Sequence, residues 1–192
     1  METHIYPVST NLPSQGIYIG NYIPLGSPVP DSFAQLTRLP DSSLQLTMWS
    51  YDSPAQSASG SWLACYLNCF PRYRYKGYLA IEFSVDGTCQ CSFGPNRSER
   101  TPIATLGIPP LNFRISRTER DGGPCWMGQV LIPRKTLDKL YGFTCHLEAG
   151  HKMRGNFYAF QGTPGNAPLA SWAPLGTGDA HLSEYFGLLE IL

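Results

Sequence analysis

Three observations predict an all-β chain folded as an antiparallel β-sandwich with one or two short helices. Turn formers are spread along its whole length, with 19 Gly and 17 Pro among 192 residues. Short segments alternate apolar and polar side chains, the period of a strand with one face buried. The turns between them include Asp86-Gly87, a pair favoured in tight hairpins. Short strands joined by many turns bury their apolar faces by stacking sheet on sheet.

The elements follow in order. Pro7, Pro13, Pro24, Pro28, Pro30 and Pro40 break up the start of the chain, so residues 1–43 read as a loop-rich segment packed on the rest. Within it QGIYIGNYIPL (15–25) has room for one edge strand. SLQLTMWSY (43–51) alternates and predicts a strand; SPAQSASGS (53–61) predicts a loop of small residues. WLACYLNCF (62–70) predicts a buried strand. GYLAIEFSVDGTCQCSF (77–93) predicts a hairpin around Asp86-Gly87. LNFRISRTE (111–119) and CWMGQVLIP (125–133) predict a second strand pair around Asp121-Gly122-Gly123. RKTLDKLYG (134–142) predicts a short helix ended by Gly142. MRGNFYAF (153–160) and FGLLEIL (186–192) are the last two strands. Between them runs GTPGNAPLASWAPLGTGDAHLSEY, a Gly/Pro-rich loop carrying Trp172 and His181, long enough to suggest binding. About eight strands without a repeat unit make a single domain over 1–192.

Bulk chemistry narrows the partners. Fourteen basic residues balance fourteen acidic ones, and there is no basic run, so neither nucleic acid nor an anionic membrane is an expected partner. No segment has transmembrane length. The N-terminus lacks a basic start followed by an apolar core, which predicts a cytoplasmic protein. In a reducing compartment the six cysteines, at 65, 69, 89, 91, 125 and 145, are expected as thiols. Cys89 and Cys91 share a strand face, as Cys65 and Cys69 would if extended. Neither pair has zinc spacing, so no metal and no cofactor is expected.

Four stretches, taken in order, resemble the family 9 carbohydrate-binding modules, in particular bacterial family 9-like proteins with a DOMON-type fold. GYLAIEFSVDGTCQCSFGPNR looks like the family's tyrosine, aromatic-acidic strand, turn glycine and later arginine. CWMGQVLIPRKTL looks like its Trp, alternating strand, Ile-Pro and short helix. GNFYAF looks like its Gly-Asn-Phe-Tyr strand. SWAPL followed by AHLSEYFGLLEI looks like its Ser-Trp-x-Pro loop, His, acidic residue and closing Phe-Gly strand. The resemblance spans about residues 44–192. It implies an immunoglobulin-like sandwich with a sugar-binding cleft made by loops, in which two aromatic side chains clamp a terminal sugar and polar groups read its hydroxyls. The chain departs from the pattern at two positions. Ala64 in GSWLACYLNCF stands where the family's acidic strand carries Glu, and His181 stands where the C-terminal aromatic clamp is expected.

The candidate ligand-binding residues are Trp172, His181, Glu82, Arg97, Arg100 and Asn156. An indole face packs against the C–H face of a sugar, or Trp172 instead plugs one end of the sandwich. His181 either donates to a hydroxyl and flanks a ring, or is a packing residue. Glu82 shares a strand face with Tyr78, Ala80 and Ser84, and a carboxylate accepts from two hydroxyls. Arg97 and Arg100 follow the hairpin and either pair with Glu82 in an ordinary ion pair or meet ligand directly. Asn156 offers both a donor and an acceptor on its strand, or serves the sheet edge.

The leading functional expectation is non-catalytic binding of an oligosaccharide or glycan end. No G-x-S-x-G, phosphate-binding glycine loop or H-E-x-x-H is present. The alternatives are a protein-interaction or structural domain whose sugar site has decayed, and a small glycoside-acting hydrolase using Cys or Glu with His146, His151 or His181. Convergence of Trp172, His181, Glu82 and an arginine on one concave surface distinguishes the sugar reading.

Overall fold

A computed structural model describes residues 5–10, 16–26, 29–52, 60–73, 77–162, 168–176 and 179–192. Fourteen strands are present: β1 (Ile5–Thr10), β2 (Ile17–Tyr18), β3 (Asn21–Ile23), β4 (Ser32–Arg38), β5 (Leu44–Ser50), β6 (Ser61–Asn68), β7 (Tyr78–Ser84), β8 (Cys89–Gly94), β9 (Thr101–Pro102), β10 (Asn112–Arg120), β11 (Gly123–Ile132), β12 (Lys152–Gln161), β13 (Leu169–Ser171) and β14 (Gly187–Ile191). One α-helix, α1 (Arg134–Tyr141), and two short 3-10 turns, Ile103–Leu106 and Ser183–Tyr185, complete the described elements.

The main path of the sheet runs β10-β11-β5-β4-β1-β14-β12-β6-β7-β8-β9. It curls so that its two halves face each other as a sandwich. Alternation puts Leu44, Leu46 and Met48 of β5 and Val130 and Ile132 of β11 on one inner face. Leu63, Cys65 and Leu67 of β6 and Leu79, Ile81 and Phe83 of β7 lie on the other, all fully buried. The halves interlock where the Phe83 ring meets Trp126 edge-on at 6.1 Å. Gly128 on β11 makes room there, since a β-carbon would overlap the Phe83 ring.

The hairpins around Asp86-Gly87 and Asp121-Gly122 form in the expected places, and α1 ends before Gly142. Two regions differ from the sequence reading. Residues 5–43 carry four strands. In β4, Ala34 and Leu36 point inward while Phe33, Gln35 and Thr37 point out. In β1, Tyr6 and Val8 are buried, and Pro7 faces out. The sandwich is also not wholly antiparallel. β1 pairs in parallel with β14 (Ile5↔Leu188 to Val8↔Ile191) and then with β4 (Ser9↔Thr37, Thr10↔Arg38), joining the two halves.

The expected long loop at 162–185 is not all loop. β13 pairs with β12 and with β3, and satisfies its backbone there. Residues 163–167 and 177–178 of that loop, and 53–59 of the small-residue loop, lie outside the described residues. The segment after β13 covers the outer face of the β12-β6-β7 half. There Leu169, Ala180 and Phe186 close a second apolar cluster over Ala64, Tyr66, Tyr78, Ala80, Tyr158 and Phe160. The candidate site lies at the margin of this cluster.

Candidate functional site

Register assembles the site. On the outer face, Tyr66 of β6 lies opposite Ala80 of β7 and Asn156 of β12, and Ala64 lies opposite Glu82. The two alanines leave room for the tyrosine rings. Glu82 is thus the cross-strand neighbour of Ala64. The Tyr66 hydroxyl donates to Glu82 Oε1 at 2.5 Å. Arg100 reaches back from the segment after β8 to place a guanidinium nitrogen 3.5 Å from the same oxygen. Its Cζ lies 5.6 Å from the Tyr66 ring centre. Arg100 Nε is buried and finds no hydrogen-bond partner among the described residues.

His181 comes down on this cluster from the covering segment. Its ring stacks on Tyr66 with centroids 4.9 Å apart and planes 18° from parallel. Its Nδ1 lies 3.2 Å from the Tyr78 hydroxyl, and its backbone N–H donates to Asp179 Oδ1 at 2.9 Å. Beside it, the Tyr158 hydroxyl donates to the Ala180 carbonyl at 2.8 Å. Burial, with Arg100 and Arg97 nearby, lowers the His181 pKa to about 4 against the opposing pull of Asp179, so the ring is neutral at pH 7. Burial also pushes the Tyr78 hydroxyl up to about 12 and the Tyr66 hydroxyl higher still.

Tyr78 and His181 form one wall of a cleft of about 470 Å³, within the range of a small-ligand site. Asn68, Asn96, Arg154 and Glu184 add amides, a guanidinium and a carboxylate to a lining that also holds Pro71, Pro95, Leu182 and Phe186. Such a surface offers hydrogen-bond donors and acceptors in several directions. That suits a hydroxyl-rich ligand better than an apolar one. The aromatic rings beneath it are buried, with His181 only 7% exposed and Tyr66 and Tyr78 fully covered.

The structure brings His181, Glu82 and Arg100 together. Arg97 is exposed, close enough for its charge to act on His181 and Tyr78. It places Trp172 and Asn156 elsewhere. Trp172 is 8% exposed and turned into the main core, 5.8 Å from the Phe157 ring and 6.1 Å from Tyr6. It therefore gives the cleft no platform. Its place in a Gly/Pro-rich segment suggests exposure, but its backbone N–H donates to the Phe157 carbonyl at 2.9 Å and the ring turns inward against Tyr6, a β1 residue. Asn156 is fully buried and clasps the covering segment: Nδ2 donates to the Ala173 carbonyl, and Oδ1 accepts from the Ala173 N–H, each at 2.9 Å.

Tyr66, Tyr78, Asn68, Asn96 and Arg154 were not singled out from sequence. Two of them carried a usable signal. Tyr78 shares the period-two face of Glu82, and Arg154 lies directly across from Asn68. Of the histidines considered for catalysis, His151 Nε2 sits 2.7 Å from the Cys69 carbonyl, and His181 meets tyrosines. No group of three His, Cys, Asp or Glu side chains among the described residues is placed to hold a metal. No described helix is long and apolar enough to cross a membrane.

The fold is similar to that of solved family 9 carbohydrate-binding modules. Among solved structures, it matches a candidate carbohydrate-binding protein from Bacteroides uniformis with a TM-score of 0.70 and 14% identity over 100% of both chains. A family 9 module from Caldicellulosiruptor kristjanssonii in complex with cellotriose matches with a TM-score of 0.62 and 9% identity, over 98% of this chain and 93% of that one. A family 9 module from the same organism in complex with glucose gives 0.57 and 9%, over 98% and 96%. No family model and no curated protein sequence matches the chain.

Proposed function

We propose that the chain is a non-catalytic carbohydrate-binding module that holds a glycan end in the cleft beside Tyr78 and His181. The observation that carries this reading is a fold shared along nearly the whole chain with modules in complex with cellotriose and glucose, together with a polar cleft of sugar size. Arg154, Asn68, Asn96 and Glu184 read hydroxyls. His181 stays neutral and serves as a fixed hydrogen-bonding edge. Glu82 and Arg100, with Arg97 outside them, set the field behind the wall. Recognition here rests on hydrogen bonds rather than on a pair of clamping rings, so the affinity is low. Six free thiols support a working place in a reducing compartment such as the cytoplasm.

Glycan-array screening across plant, host and bacterial glycans, followed by calorimetry, tests the reading. Arg154→Ala should weaken binding by roughly 10-fold or more, because charged hydrogen bonds in a cleft contribute about 1.5–3 kcal/mol. Because Arg154 also donates to the Phe186 carbonyl at 3.0 Å, a modest fall in melting temperature is expected as well, and binding is compared at a temperature where both proteins are folded. Wild-type protein that binds no glycan sinks the proposal. The inward turn of Trp172 favours one second reading, a protein-interaction domain on the same fold, which that negative result would bring forward.

A further inference from the structure

We propose that Cys89 and Cys91 form a two-thiolate site for a soft monovalent metal cation, copper(I) in chemical class. The two thiols are separated by one residue on β8, so the period of the strand puts both on one face. Their sulfurs stand 4.0 Å apart. Two metal–thiolate bonds of about 2.3 Å span roughly 3.8 Å at a tetrahedral angle and about 4.6 Å when collinear, so one cation bridges this gap with small side-chain adjustment. Both side chains are half-buried. They lie on a stretch of β8 beyond its pairing with β9, which reaches only Ser92 and Phe93, so among the described residues no strand covers that edge beside them, and their inner sides rest on the margin of the main core.

The choice of cation follows from the ligand count. Thiolates select soft metals. Zinc needs four protein ligands in a structural site, and no third His, Cys, Asp or Glu joins the pair among the described residues. Copper(I) is satisfied by two thiolates. The other four cysteines are buried, and burial pushes the thiols of Cys65, Cys69 and Cys145 up, which leaves them inert. Binding is a ligand exchange. The cation takes the electron pairs of both sulfurs, two S–H protons pass to solvent, and no electron is transferred. The complex carries one net negative charge.

The test uses the full chain, reduced and oxygen-free. Copper(I) is supplied as its acetonitrile complex, with a chromogenic copper(I) chelator as competitor. Wild-type protein should withdraw a single equivalent from the chelator, and X-ray absorption at the copper edge should show two sulfur neighbours. Cys89→Ser and Cys91→Ser should each lower the affinity by about 100-fold or more through loss of the chelate. Cys125→Ser should leave it unchanged. Melting curves of each variant establish that the protein is folded, and the absorption spectrum of the wild type stands whether or not a variant folds. No withdrawal by wild type, equal binding by the serine variants, or nitrogen and oxygen neighbours at the copper would overturn the proposal. None of these outcomes bears on glycan binding, which uses the opposite face of the sheet.

Discussion

Gly187 makes room for Trp172: a β-carbon on Gly187 would stand 2.5 Å from the indole ring. The first residue of the last strand is thus matched to a tryptophan that sequence position alone would put in solvent. Trp172→Ala removes a ring packed between Tyr6 and Phe157. It should cost about 3–5 kcal/mol, the usual range for deleting a buried tryptophan. Thermal melting checks this. A melting temperature within a degree or two of wild type would show that the ring is outside the core.

Asn156→Ala should destabilise by about 1–3 kcal/mol, because it leaves the buried Ala173 N–H without its acceptor, while the Ala173 carbonyl keeps only the Ser171 hydroxyl. Asn156→Asp keeps the acceptor and loses the donor to the Ala173 carbonyl. Denaturant melts of both variants should therefore fall below wild type, and an unchanged midpoint for Ala would contradict the clasp.

His181 gives a pH dependence of definite sign. Its folded pKa, about 4, lies below the unfolded value near 6.5, so the unfolded chain binds more protons between these limits. The contribution is fully present above pH 6.5 and is lost as pH falls toward 4. His181→Phe keeps a ring over Tyr66 but cannot titrate. Melting temperatures across this window should fall less steeply for the variant; parallel curves would refute the assignment. Asp41 and Asp86, whose pKa values are lowered by hydrogen bonds, act below the usual carboxylate value and so outside this window.

Glu82→Gln should weaken the fold by about 1–3 kcal/mol, since Arg100 loses its charged partner and Tyr66 a charged acceptor. Arg100→Met in the same background should recover part of that loss. A double-mutant cycle measures the coupling, and a coupling near zero would mean the pair is only a surface contact.

What sequence reveals here depends on how local the cause is. β7 and β8 are readable because alternation and Asp86-Gly87 act over a few residues. The same holds for α1. β1 and β4 are harder, because proline breaks the pattern around Tyr6 and Val8 and the pairing that rescues them comes from the far end of the chain. The site divides in the same way. Glu82 and Arg100 sit near each other in sequence and meet as one of the two readings expects. For Trp172 and Asn156 the sequence leaves a ligand-facing and a structural reading open, because the residues that hold them inward, Tyr6 and Ala173, are brought there only by tertiary packing. Tyr66 and Tyr78 looked like ordinary strand tyrosines until His181 came down over them.

The parallel pairing of Ile5–Val8 with Leu188–Ile191 has a consequence for how the protein folds. Hairpins such as β7–β8 close a loop of a few residues, whereas this seam closes a loop that takes in nearly every other described strand. Loop closure must be offset before such a distant contact stabilises anything, so the seam is expected to form late in folding. Until it does, one edge of β12 and one of β4 lack a partner, and the two halves of the sandwich are open to pairing with another chain.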